Sequence, residues 1–90
     1  MPRQARTFVI VNTLGLHARA AAQLVQTANR YRSEIHVEKD GMSVNGKSIM
    51  GVLTLAAAKG SQVTVACEGE DADAAMAALA KLIENGFGET

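Results

Sequence analysis

Aromatic side chains are nearly missing from this 90-residue chain, which has no Trp, one Tyr and two Phe. Single-stranded nucleic acid is gripped by base stacking on aromatic rings along a basic groove. Phe8, Tyr31 and Phe87, with nine Lys and Arg balanced by nine Asp and Glu, do not supply that combination, so nucleic-acid binding is not expected. Cysteine occurs once, as Cys67, which leaves no internal disulfide to form. Within the alternating run Gln62 to Glu68 it reads as a small buried hydrophobe rather than a redox centre. His17 and His36 are far apart and no Cys/His cluster accompanies them, so no metal site is expected. No apolar stretch approaches the ~20 residues that span a bilayer, and membrane insertion is not expected. Arg3 and Arg6 lead straight into a short strand, unlike a signal peptide; the expected location is cytoplasmic. No linker, repeat or low-complexity segment divides the chain, which reads as a single domain over residues 1–90.

Acidic residues are missing from the first third. Arg3, Arg6, Arg19, Arg30 and Arg32 lie there with no Asp or Glu, whereas Glu68, Glu70, Asp71, Asp73, Glu84 and Glu89 follow later against Lys81 alone. That asymmetry suits a positive face around His17 that meets acidic partner proteins.

Periodicity orders the chain as β-α-β-β-α-β-α. Thr7 to about Asn12 reads as a first strand, and Thr13 to Leu16 turns out of it. Ala21, Leu24, Val25 and Ala28 recur at i, i+3, i+4, i+7, which predicts a helix over Ala20–Arg30 with one apolar face. After Ser33, Ile35 and Val37 alternate with Glu34, His36 and Glu38 as a half-buried strand. Asp40-Gly41 signals a hairpin turn, and Met42 to Asn45 returns from it. Ser48 to Ala56 is short, apolar and opened by a good N-cap residue, which predicts a brief second helix. Gln62 to Glu68 alternates as a fourth strand. Asp71 and Asp73 favour the start of a last helix, striped by Ala75, Met76, Leu79, Leu82 and Ile83 and ended by Gly86. Each helix has one apolar stripe, so the expected class is α+β: a four-stranded, mostly antiparallel sheet with three helices on one face. Met42 and Met76 read as core filler, and His36 as solvated surface.

The run Leu14-Gly15-Leu16-His17-Ala18-Arg19 stands where the first strand hands over to the first helix. Helix N-termini present unpaired N–H groups and a positive dipole end, together an anion site. A histidine there either caps the helix or carries chemistry. Gly15 permits backbone geometry that brings N–H groups close to a ligand, and Arg19 offers a charged fork suited to phosphate oxygens. No carboxylate lies nearby in sequence to hold the ring protonated, so a neutral nucleophilic nitrogen is expected. Such a nitrogen attacks phosphorus in line while N–H groups and Arg19 bear the charge on the equatorial oxygens. Gly46, Lys47 and Ser48 have the end of a nucleotide-binding loop without its first glycine. Ser48 reads either as an N-cap hydroxyl or as a modified residue, since a helix N-terminus tolerates phosphate. Ile49, Met50 and Leu53 read either as core or as an exposed apolar patch beside His17.

At these residues the chain resembles the histidine-containing phosphocarrier (HPr) family of the bacterial phosphoenolpyruvate-dependent sugar phosphotransferase system, over nearly its whole length. Leu14 to Arg19 is similar to the family's active-site signature, and Asn45-Gly46-Lys47-Ser48-Ile49-Met50-Gly51-Val52 to its regulatory-serine signature. The resemblance implies an open-faced β-sandwich. It implies a covalent carrier rather than a turnover enzyme, with no cofactor. His17 would accept a phosphoryl group on Nδ1 from phosphorylated enzyme I and pass it to enzyme IIA domains. Arg19 would be the phosphate partner, with Gly15, Ala18 and Ala20 lining the phosphate. Ser48 would be the target of an ATP-dependent HPr kinase/phosphorylase. Leu16, Lys47, Ile49, Met50 and Leu53 would form the docking surface of a monomer. Many members have proline where this chain has Ala20; the extra N–H is free to donate to phosphate or water. The segment around Asn12, Leu14 and Gly15 also resembles the nitrogen-branch paralogue (NPr). A nitrogen-branch role, or a mainly regulatory module switched at Ser48, stands as the alternative.

Overall fold

Apolar side chains at every second position mark the two central strands of one four-stranded sheet. The computed structural model describes residues 1–89. In chain order these form β1 (Arg3–Val9), α1 (Ala18–Ala28), β2 (Glu34–Lys39), β3 (Met42–Asn45), α2 (Ile49–Thr54), β4 (Gln62–Glu68) and α3 (Ala72–Glu84), followed by a 3-10 turn at Gly86–Gly88. Strand order is β1-β4-β2-β3 with every pairing antiparallel. The expected α+β architecture is therefore present: an open-faced sandwich of a four-stranded antiparallel sheet and three helices.

One face of the sheet supplies Phe8, Ile35, Val37, Val63, Val65 and Cys67 to a core closed by Ala21, Leu24, Val25, Val52, Met76, Leu79 and Ile83 from the helices. The other face carries polar pairs such as Thr7 and Thr64, whose hydroxyls lie 2.9 Å apart. Cys67 is fully buried, and burial first, with the Asp71 charge second, pushes its thiol up. A buried neutral thiol is chemically quiet, in keeping with the sequence reading. No helix among the described residues is long and apolar enough to cross a membrane.

Strand β1 differs from expectation, running Arg3–Val9 rather than Thr7 to Asn12. Its register with β4, from Arg3 opposite Glu68 to Val9 opposite Gln62, recruits residues too polar to read as a strand. Their side chains have partners on α3: Gln4 Nε2 donates to Asp73 at 2.6 Å, and Arg6 lies 3.5 Å from Glu84 while stacking over Phe8. Part of the charge asymmetry is thus neutralised within the fold. Helix α1 starts two residues earlier than expected and ends at Ala28. Met42 is 51 % exposed at the sheet edge and does not fill the core, whereas Met76 does.

Asp71 stands at the N-cap of α3 but makes no capping bond with its side chain. Its carboxylate instead accepts from the hydroxyl and N–H of Ser33 and the N–H of Arg32. The Ser33 hydroxyl first, then the Arg32 N–H, hold its carboxyl below the usual range, against an opposing push from burial. The sign follows from the depressed value: this clasp between the α1–β2 loop and α3 is complete above the free carboxylate's titration. It is lost as pH falls through the lowered one.

Candidate functional site

Two turns and a helix end converge on His17. Gly15 takes a left-handed conformation at φ 66°, and its N–H donates to Asn12 O at 3.1 Å. Leu16 N–H then bonds Ala57 O at 2.8 Å, tying the turn to the segment after α2. The chain leaves this anchor at the N-terminus of α1 with His17 as the N-cap residue. Its ring makes no capping bond, so the simple helix-cap role is not what the side chain performs. The first intrahelical bond runs from Ala21 N–H to His17 O at 2.8 Å. The N–H groups of Ala18, Arg19 and Ala20 precede it, and helix geometry gives them no intrahelical acceptor.

The ring's partner comes from the far end of the sequence. Glu89 Oε2 lies 2.5 Å from His17 Nε2, and Glu89 Oε1 accepts from Asn12 Nδ2 at 3.0 Å. The same Nδ2 donates to Gly15 O at 2.8 Å, which fixes the side chain of Asn12, itself 2 % exposed. The expectation that no carboxylate attends the ring is therefore corrected: proximity in sequence was the wrong measure. Asn12 first and the His17 ring second hold the Glu89 carboxyl low, while burial opposes them and Arg19 adds a smaller electrostatic pull. A depressed carboxyl keeps its contact above the free carboxylate's titration and releases it as pH falls through the lowered one.

A carboxylate accepts and cannot donate, so Nε2 carries the proton and the neutral ring's lone pair resides on Nδ1. A cavity of about 660 Å³, lined by Leu14, Ala18, Arg19, Gly88 and Glu89 beside His17, leaves room for a phosphoryl group. Among the described residues its cation is Arg19 and its anion Glu89. No group of three or more His, Cys, Asp or Glu suited to a metal occurs among the described residues.

Two expected site residues need correction. Gly15 N–H is engaged by Asn12 O, so the residue serves the turn and offers no donor to phosphate. Leu16 is 4 % exposed and belongs to the core, because the left-handed turn at Gly15 sends its side chain inward. Leu14, which sequence reasoning passed over, is 68 % exposed and borders the cavity. The two leucines should separate in denaturant melts: Leu16→Ala loses about 2–5 kcal/mol, and Leu14→Ala stays within about 0.5 kcal/mol of the parent. Lys47 is half-buried with Nζ donating to Tyr31 O at 2.7 Å, so its charge is tethered to the α1–β2 loop.

Ser48 caps α2 as expected: its Oγ accepts from Gly51 N–H at 3.1 Å, and its carbonyl accepts from Val52 N–H at 3.0 Å. Asn45 prepares this end by accepting from Lys47 N–H at 2.9 Å and Ser48 N–H at 3.1 Å. Of the residues that follow, Val52 enters the core, whereas Ile49, Met50 and Leu53 are 42, 77 and 37 % exposed. The apolar-patch reading of these three is the one the burial supports. Sequence reasoning singles out neither Asn12 nor Glu89 as a site residue: Asn12 enters only through the nitrogen-branch likeness, and Glu89 is 72 residues from the ring it touches.

The chain is similar to known proteins over most of its length. The family model described as "PTS HPr component phosphorylation site" matches residues 4–85. A phosphocarrier protein HPr of Neisseria meningitidis is 51 % identical over 80 residues, covering 89 % of this chain and 90 % of that one. An HPr-like protein Crh of Halalkalibacterium halodurans is 56 % identical over 70 residues, covering 78 % of this chain and 83 % of its own. The crystal structure of HPr-C-His from Thermoanaerobacter tengcongensis superposes with a TM-score of 0.93 at 48 % identity, covering 97 % of this chain and 98 % of that one. With a helix-end histidine, a serine-capped second helix and this fold, the chain belongs to the HPr family, the phosphocarriers of the phosphotransferase system.

Proposed function

We propose that His17 is the residue through which this chain carries phosphate, taking a phosphoryl group from phosphorylated enzyme I on Nδ1 and passing it to enzyme IIA domains. The observation that carries the reading is the His17 ring itself: uncommitted to capping, bonded to Glu89 through Nε2, and beside an open cavity at a helix N-terminus. The Nδ1 lone pair forms the N–P bond as the bond from phosphorus to the donor breaks, and the electron pair of that bond leaves with the donor. Charge on the equatorial oxygens falls to the Arg19 guanidinium and the N–H groups of Ala18, Arg19 and Ala20. In the donating step a nucleophile of the IIA domain forms its bond to phosphorus as the N–P bond breaks, and the N–P electrons go back to Nδ1. Leu14, Ile49, Met50 and Leu53 supply exposed apolar surface for partners, and a small patch suits a carrier that must leave each partner quickly.

The test is intact-mass spectrometry after incubation with enzyme I, magnesium and phosphoenolpyruvate. One added phosphoryl group, labile to acid and stable to base, is expected. An acid-stable adduct would refute the reading and favour the module switched at Ser48, and no adduct with a matched enzyme I would refute it in favour of the nitrogen-branch or Ser48-switched alternatives.

Ser48 is proposed as the regulatory position, phosphorylated by an ATP-dependent kinase where one is present. Its hydroxyl sits at the start of α2 against the exposed Ile49 and Met50, so phosphate there adds charge beside the docking surface without opposing the helix. Ser48→Ala should cost about 1 kcal/mol of stability through the lost cap and leave enzyme I affinity intact. Ser48→Asp retains a capping oxygen and should weaken that affinity about tenfold through like-charge repulsion with acidic partners. Titration calorimetry reads both; equal affinity for the two variants would remove the regulatory role.

A further inference from the structure

We propose that Glu89, held in place by Asn12, is a positioning residue for His17 that keeps the imidazole proton on Nε2 both before and after a phosphoryl group arrives on Nδ1. The second half rests on the reading of His17 as the acceptor; the first half does not.

The arrangement is built rather than incidental. The backbone that brings Glu89 back over α1 passes through three left-handed residues in succession, Gly86 (φ 61°), Phe87 (φ 57°) and Gly88 (φ 74°). A phenylalanine in that region costs about 1–3 kcal/mol. It is retained here with the ring 2 % exposed, so core packing pins the turn. From that anchor both carboxylate oxygens are used, Oε2 on His17 and Oε1 on Asn12. Asn12 in turn is braced on Gly15 O of the same turn that sets His17. The Glu89 side chain is 15 % exposed, so water competes little for it. Leu14, Ala18 and Gly88 line the rest of the cavity, leaving Arg19 of α1 and Glu89 as the charged groups that face the ring among the described residues.

The chemical consequence is a transfer without proton traffic. In the receiving state Nε2–H points at Glu89 and the Nδ1 lone pair is free to form the N–P bond. Once it has formed, the ring is an imidazolium bearing the phosphoryl group on Nδ1 and the same proton on Nε2, with the carboxylate as its counter-charge. When a nucleophile of the accepting domain bonds to phosphorus, the N–P bond breaks, its electrons return to Nδ1 and a neutral imidazole leaves, the proton still on Nε2. A phosphorylated ring without that proton is a poorer leaving group, so Glu89 keeps the carried phosphoryl group transferable.

The experiment uses the full chain uniformly labelled with ¹⁵N, as parent, Glu89→Gln, Glu89→Ala and Asn12→Ala. Imidazole ¹⁵N shifts in mildly alkaline buffer give the tautomer at each histidine, and the exposed His36 serves as the internal reference for a free ring. The parent is expected to hold His17 in the single Nε2–H form. Glu89→Gln keeps an acceptor oxygen and should preserve that tautomer; Glu89→Ala should relax it to the mixture seen at His36, with Asn12→Ala between them. After phosphorylation, loss of the carboxylate charge in Glu89→Gln should lengthen the half-life of the phosphohistidine at neutral pH by roughly three- to tenfold. Melting curves establish that each variant is folded. A folded Glu89→Ala with the parent's tautomer and half-life would overturn the proposal. Failure of the parent to accept phosphate would instead sink the acceptor reading, and the tautomer result on unmodified protein would stand apart from it.

Discussion

His17→Ala should take up no phosphoryl group from enzyme I and phosphoenolpyruvate, a loss of at least about a thousand-fold in transfer rate. The expectation is this large because on the proposed mechanism Nδ1 is the nucleophile, and the cation and N–H groups around it then have no ring nitrogen to serve. His36 cannot substitute, being exposed on β2 at the register position of Ala66 and Asn45. The fold should tolerate the change. The His17 side chain makes no capping bond, and its backbone carbonyl, which accepts from Ala21 N–H, is unaltered. Stability should fall by no more than about 1 kcal/mol, from the lost bond to Glu89. Intact mass after enzyme I treatment checks the first part and a denaturant melt the second. A phosphorylated His17→Ala would move the acceptor elsewhere.

Gly15→Ala should be the most damaging small substitution in the site, lowering stability by about 2–5 kcal/mol from two sources. The first is conformational, since φ is 66°. The second is steric: an added Cβ would lie 2.4 Å from Ala57 O and 2.9 Å from Ala58 Cα, both backbone atoms that cannot swing aside. Relief of that clash breaks the Leu16 N–H to Ala57 O bond that sets the start of α1, so phosphoryl acceptance should decline with stability. Gly60 separates the two terms. Its φ is 91° but nothing lies within 4 Å of an added Cβ, so Gly60→Ala carries the conformational cost of about 1–3 kcal/mol alone. If thermal melts give both variants equal losses, the steric argument at Gly15 fails.

Where local physics governs, the sequence was legible. The Ala21, Leu24, Val25, Ala28 stripe is buried as spaced, Asp40-Gly41 forms the hairpin turn between β2 and β3, and Ser48 caps α2. The motif around His17 places the ring at a helix N-terminus, where the fold has it. What stayed hidden is what distant residues decide. Arg3, Gln4 and Arg6 are strand residues because β4 and α3 give them partners, and nothing in their own neighbourhood says so. Leu14 and Leu16 look alike in sequence, and only the left-handed turn between them decides which faces the core. Glu89 had no motif at all; its place beside His17 follows from the turn around Phe87.

The order of strands has a consequence for how the site comes into being. β4 is the central strand that joins β1 to β2, and it is also the last strand to be synthesised. The segment leading to His17 leans on the same late region: Leu16 on Ala57, and Ile10 on both Gly60 and Ser61, through bonds of 2.8, 2.8 and 2.9 Å. Until that region has emerged, β1 has no ladder and the loop before α1 has no support, although the local β2–β3 hairpin and α1 are free to flicker. Closing contacts across some fifty residues is the slow, entropically costly part of folding such a topology. The ability to hold phosphate therefore arrives with the final cooperative step, and a nascent or partly unfolded chain is silent in the relay by construction.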